Sequence, residues 1–98
     1  MDRTAYVYLV ASGRNGTTYI GSTTNLVKRI WEHRNAVVDG FTKERNCHRL
    51  VWYEVHNDLE AARTRERQMK EWKRGWRLRE IEGPNPEWDD LFDRIARP

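Results

Sequence analysis

Cysteine is nearly absent from the chain. Cys47 stands alone among 98 residues. That excludes an internal disulfide and argues against a zinc site built on thiolates, so a reducing compartment, the cytoplasm, is the expected setting. There is no apolar run long enough to cross a bilayer and nothing with the look of a signal peptide, so no membrane role is expected. Internal repeats and linkers are also missing, which suits one small domain over residues 1–98 with a modest core. A large charge of one sign is lacking too: 18 Lys and Arg face 15 Asp and Glu, for a net +3.

That small net charge is unevenly placed. Gly13 to Arg49 and Glu60 to Glu80 are both basic on balance, whereas Ile81 to Pro98 carries Glu82, Glu87, Asp89, Asp90 and Asp93 against Arg94 and Arg97. A basic body with an acidic end fits a polyanionic partner, although mixed charge also makes an ordinary soluble surface. Aromatic residues, by contrast, are plentiful. Five tryptophans are expected mostly in the core, with each indole N–H near a polar partner.

Residues 5–11 alternate between Tyr6, Tyr8 and Val10 on one face and Ala5, Val7, Leu9 and Ala11 on the other. Both faces are apolar, which predicts a central strand covered on both sides. Asn15-Gly16 is a strong turn signal, and Thr17 to Gly21 completes a hairpin. Ser22, Thr23 and Thr24 offer hydroxyls to cap a helix over 24–35. On that helix Leu26, Ile30, His33 and Val37 share a stripe, with Arg29 at its edge one turn from His33. A basic loop spans Phe41 to Cys47, and a third strand spans His48 to Val55. Asn57 or Asp58 can cap a helix over 59–73, which Gly75 is expected to break before a shorter helix over 76–82. Gly83-Pro84-Asn85-Pro86 reads as a rigid turn and Glu87 to Ile95 as a final amphipathic segment. The expected fold is α+β, a three-stranded antiparallel sheet flanked by helices.

Several of these residue types suit phosphate chemistry. Two tyrosines on neighbouring strands, an arginine and a histidine one turn apart, and a carboxylate on a later helix can converge on one phosphate. Arg29 carries the guanidinium fork that grips phosphate oxygens, or else a plain ion pair to Glu32 or Glu66. Glu66 lies on the apolar arc of its helix, where a carboxylate is costly unless something holds it. It is read either as a ligand for one Mg²⁺ or as a surface residue paired with Lys70. Tyr8 and Tyr19 are polar groups for a water or plain core residues. His33 is read as a partner of Tyr8 or as a structural histidine, and His48 and His56 as surface residues.

The ordered set resembles the GIY-YIG nuclease family. Tyr6-Val7-Tyr8 stands where the family has its first motif, and Tyr19-Ile20-Gly21 is the second, unaltered. Arg29 and His33 follow at the family's spacings, and Glu66 looks like the family's metal-binding glutamate. Gly40 to Lys43, Leu50 to Glu54 and Asn85 to Leu91 match the small stand-alone bacterial members. The resemblance covers nearly the whole chain and implies a GIY-YIG-like fold and a Mg²⁺- or Mn²⁺-dependent DNA endonuclease, with structure-selective repair or recombination as one setting. It implies catalytic roles for Tyr8 (the general base), Tyr19, Arg29, His33 and Glu66, with Glu66 the metal ligand. It also implies nucleic-acid contacts for Arg29, Lys43, Arg45 and Asn85. Two departures stand out: Tyr-Val-Tyr in place of Gly-Ile-Tyr, and Arg45 where close relatives carry tyrosine. The alternatives are a nucleic-acid-binding module with vestigial catalysis and a subunit whose protein partner supplies specificity.

Overall fold

The structure is a computed structural model that describes residues 4–35 and 46–96. Three strands, β1 (Ala5–Ala11), β2 (Thr18–Thr23) and β3 (Arg49–His56), form one antiparallel sheet in the order β2-β1-β3. The expected α+β architecture is therefore the observed one. Ala5, Val7, Leu9, Val10 and Ala11 of the middle strand are all fully buried. The doubly apolar alternation of β1 has this cause: both of its faces meet protein.

The hairpin turn follows from its sequence. Asn15 adopts a left-handed φ of 57°, which asparagine tolerates better than most residues. Gly16 folds back so closely that a Cβ there would meet Ser12 Oγ at 2.3 Å. β2 runs on to Thr23, two residues beyond the expected end, because pairing with β1 continues through Tyr6↔Thr23.

Helix α1 (Leu26–Arg34) covers one face of the sheet, packing Leu26 and Ile30 with Tyr8, Val10 and Leu50. Its cap is Asn25, not one of the three preceding hydroxyl residues, and the Asn25 side chain accepts from the Lys28 amide at 3.1 Å. Helix α2 (Leu59–Lys70) covers the other face through Ala62 and Met69, and Asp58 caps it at 2.8 Å from the Ala61 amide. Helix α3 (Arg74–Glu82) buries Ile81 in the same cluster.

Gly75 does not break a helix. It sits in the first turn of α3, and the interruption falls earlier, between Lys70 and Arg74. With no Cβ contact within 4 Å, Gly75 has only its modest propensity cost, which a helix end tolerates. The tryptophans also depart from expectation. Trp52 and Trp88 are buried, Trp72 is half-buried, and Trp31 and Trp76 are about half exposed.

The acidic end ties back to the sheet, finishing in a short helix α4 (Phe92–Ala96). Asn85 organises that return. Its Nδ2 donates to the Val51 carbonyl at 3.0 Å and to the Asp89 carbonyl at 2.9 Å, and its Oδ1 accepts from the Asp89 amide at 3.0 Å. Trp88, fully buried despite a left-handed φ of 57°, donates from Nε1 to Glu82 at 2.9 Å. Asn85 thus spends its polar atoms on the fold, against β3 and away from the β2 edge. These contacts give Asn85 a structural role.

Replacing Asn85 by Ala leaves the Val51 and Asp89 groups without partners. The expected cost is about 2–3 kcal/mol of unfolding free energy. Urea denaturation measures it, and nucleic-acid binding by the folded fraction is expected to stay unchanged.

Candidate active site

Register builds the site. Tyr8 lies directly opposite Gly21 across the β1–β2 pair, and Tyr19, two residues earlier, projects from the same face. A Cβ on Gly21 would come within 2.4 Å of the Tyr8 hydroxyl and 2.6 Å of its Cζ. Gly21 therefore gives the Tyr8 ring its slot across β2.

Helix α1 brings the next two groups. His33, only 5% exposed, shares a hydrogen bond of 3.0 Å between its Nε2 and the Tyr8 hydroxyl. The Tyr19 ring lies 5.7 Å from the His33 ring, centroid to centroid. Arg29, one turn before His33, pairs its Nε with Glu32 at 3.3 Å and remains half-exposed. It also lies near enough to Tyr8 for its charge and a side-chain hydrogen bond to favour the ionised phenol. Beside it opens a cavity of about 190 Å³ lined by Thr23, Thr24, Asn25, Lys28, Arg29 and Glu32.

Glu66 arrives from the opposite face of the sheet. Ser22 points away from Tyr19 and Gly21, by strand alternation, and so faces α2. Its Oγ donates to Glu66 Oε1 at 2.5 Å, while Lys70 Nζ lies 2.6 Å from Oε2. The Glu66 side chain keeps 16% of its surface exposed, and its charge is felt at Tyr8. Tyr8, Tyr19, Arg29, His33 and Glu66 thus come together at the β2 edge. Lys43 and Arg45 lie outside the described residues. Sequence reasoning missed Ser22, although its place next to Tyr19-Ile20-Gly21 with opposite strand parity was the available signal. The Lys70 pairing and the ligand reading of Glu66 are not exclusive, since one carboxylate has two oxygens.

Burial controls the proton inventory. Burial raises the Tyr8 pKa, and Arg29 opposes it, while Tyr19 and Glu66 add to the rise. The net direction is upward, so Tyr8 keeps its proton at neutral pH. Burial, aided by Arg29 and opposed by Glu32, pulls His33 down to about 4. His33 is therefore neutral, with one N–H to place. Its Nδ1 is buried with no hydrogen-bond partner among the described residues. A proton on Nδ1 would be an orphaned donor, so the cheaper tautomer carries it on Nε2 and donates to the Tyr8 oxygen. That leaves the Tyr8 proton free to point at a bound molecule.

Among the described residues no three His, Cys, Asp or Glu side chains gather as a metal cage. A single carboxylate at a solvent-reachable edge is still what a Mg²⁺ ion retaining most of its waters requires, so the residues fit that mode of binding. Ser22 and Lys70 each touch one carboxylate oxygen of Glu66, and each oxygen has a second lone pair, so an incoming cation competes with the Lys70 ammonium without needing an empty oxygen. No helix among the described residues is long and apolar enough to cross a membrane.

A three-stranded sheet with a tyrosine pair, an arginine and a carboxylate at one edge belongs to a class of phosphodiester-cleaving domains. Residues 4–79 match the model of the GIY-YIG catalytic domain, and the chain belongs to the GIY-YIG family. Membership places it in a nuclease superfamily. It is 34% identical over 71 residues to a UPF0213 protein of Desulfotalea psychrophila, covering 71% of this chain and 64% of that relative, just under two thirds of its length. It is 33% identical over 76 residues to a UPF0213 protein of Clostridium perfringens, covering 78% and 81% of the two chains. A third relative, a UPF0213 protein of Syntrophus aciditrophicus, is 35% identical over 83 residues and is covered over 93% of its length. The solution NMR structure of a UPF0213 protein from Bacillus halodurans superposes with a TM-score of 0.55 at 22% identity, over 97% of this chain and 99% of that one. At that identity the likeness supports the fold alone.

Two outcomes test this site. The His33 ring is expected to titrate by NMR near pH 4, not near its ordinary value of about 6.5. Because the unfolded chain binds the proton first, stability is fully present above about pH 6.5 and declines as pH falls towards 4. His33→Gln should remove that slope from a pH series of urea midpoints. Gly21→Ala should drive Tyr8 from its slot, moving the His33 midpoint upward and abolishing activity.

Proposed function

We propose that the chain is a Mg²⁺- or Mn²⁺-dependent endonuclease that hydrolyses DNA phosphodiester bonds. The observation that carries this reading is the convergence on Gly21-Ser22 of β2: the Tyr8 ring lies across Gly21, and Glu66 accepts from Ser22 Oγ at 2.5 Å. Tyr8 also shares a hydrogen bond with His33 of α1, one turn from Arg29, so groups from helices on opposite faces of the sheet reach the same short stretch of β2.

In this reading Arg29 grips a non-bridging oxygen of the scissile phosphate and balances charge as it builds there. A bound ion held through Glu66 would supply Lewis acidity at that phosphate and make a water more acidic. Ser22 orients the carboxylate by its hydrogen bond. Tyr8 receives the proton of the attacking water once ionised, with the Nε2–H of His33 and the Arg29 guanidinium holding the phenolate. The cost of ionising Tyr8 drops when the negative charge of Glu66 is neutralised. Tyr19, packed beside the His33 ring, holds the neighbouring face and offers a second hydroxyl. The proposed setting is cytoplasmic, with structure-selective cleavage in repair or recombination.

Glu66→Gln should abolish cleavage while leaving the melting curve near that of the wild type. Arg29→Ala should slow it by about 10²–10³-fold. A panel of plasmid, nicked, branched and single-stranded DNAs with Mg²⁺ or Mn²⁺ provides the assay; no cleavage of any of them by the wild type sinks the proposal. Removing the ammonium by Lys70→Met should strengthen Mn²⁺ binding several-fold, read by electron paramagnetic resonance on the protein without DNA. Equal affinity in both proteins would show that Lys70 does not compete for the carboxylate.

A further inference from the structure

Helix α2 has two flanks that reach opposite edges of the sheet. Arg65 turns to the β3 edge, where its Nε donates to Glu54 at 3.0 Å and its guanidinium lies 5.0 Å from the Trp72 ring centre. Glu66, about 100° further round, turns to the β2 edge and Ser22. These two contacts fix the rotation of the helix. Lys70, Arg63 and Arg67 then follow in that order on the Glu66 flank, within about 100° of it. All three are exposed. Among the described residues Arg63 and Arg67 form no ion pair, and the one contact of Arg67 is a 3.3 Å hydrogen bond to Thr64 on its own helix. Glu60 and Glu71 lie beyond Arg67, at the solvent pole, and bound the stripe. On the far side of the β2 edge, α1 presents Lys28, also exposed and without an ion pair among the described residues, next to Arg29.

We infer that this flank of α2 is a phosphate track: Arg63, Arg67 and Lys70 bind the nucleic-acid backbone beside the phosphate held at Arg29. The inference rests on the nuclease reading and adds the path of the substrate, across the β2 edge between α1 and α2. The occupant follows from charge and length. Three cations spread over about 10 Å of helix axis match two or three successive phosphates of one strand, spaced by about 3.4 Å of duplex axis. An acidic protein surface would need no such even series. Arg63 and Arg67 have no ion pair among the described residues, and Lys70 shares its charge with Glu66, so the two arginines gain most from a ligand that releases counterions.

The test is DNA binding by fluorescence anisotropy over a series of salt concentrations, without divalent metal, so that no cleavage intervenes. For Arg63→Gln with Arg67→Gln, the slope of log affinity against log salt should become shallower by about 1.4–1.8, or about 0.7–0.9 per lost phosphate contact. Arg63→Lys with Arg67→Lys should restore most of it. Arg79→Gln is the control. It removes an exposed arginine from the depression lined by Trp72, Trp76 and Glu80, on the Arg65 side of the molecule, and should leave the slope unchanged. An unaltered slope in the double glutamine variant overturns the inference. So does an equal loss in the control, or the absence of wild-type binding at low salt. Binding that follows these expectations in a protein that cleaves nothing would overturn the nuclease reading and leave the track standing.

Discussion

Everything at the candidate site depends on one ring laid across one backbone. Tyr8 rests on the space that Gly21 leaves open in the facing strand, and any side chain there would occupy the position of the phenol. This single close approach sets where the hydroxyl is, and so what His33 bonds and which charge Arg29 meets. It also explains why the site needs the hairpin: only a fixed antiparallel register places residue 21 opposite residue 8.

The second constraint is the rotation of α2. Two adjacent residues, Arg65 and Glu66, are sent to different edges of a sheet only three strands wide. One edge uses its charges for the fold: Arg65 links Glu54 and Glu80 and lies over Trp72. The other edge leaves Arg63 and Arg67 to solvent and brings its carboxylate to a serine on β2 and to Lys70. The modest net charge of the whole chain conceals this division, since structural and available cations count alike in a sum.

Much of the architecture was legible in the residues. The two apolar faces of β1 announced a covered central strand, and Asn15-Gly16 announced the hairpin. The spacing of Arg29 and His33 put them one turn apart on the edge of an apolar stripe, where the structure has them. Other features were not legible. The capping residue of α1 was misplaced because four successive side chains, from Ser22 to Asn25, can each accept an amide, and strand pairing decides which of them lies at the helix start. Gly75 looked like a break, yet the helix ends before it. Asn85 looked available for a ligand because nothing local reveals that a carbonyl of Val51, 34 residues away, waits for its amide.

The chain's order of residues was enough to determine the kinds of element, the turn between the first strands, the faces of the helices and the types of chemistry on offer. These are short-range matters of periodicity, φ preference and side-chain functional group. Tertiary structure alone decided that Glu66 shares its oxygens between Ser22 and Lys70, that His33 is neutral, and that Asn85 belongs to the scaffold. Each of these depends on burial and on groups distant in sequence being brought within hydrogen-bonding reach. Neither desolvation nor a long-range partner is a property of any local stretch of chain.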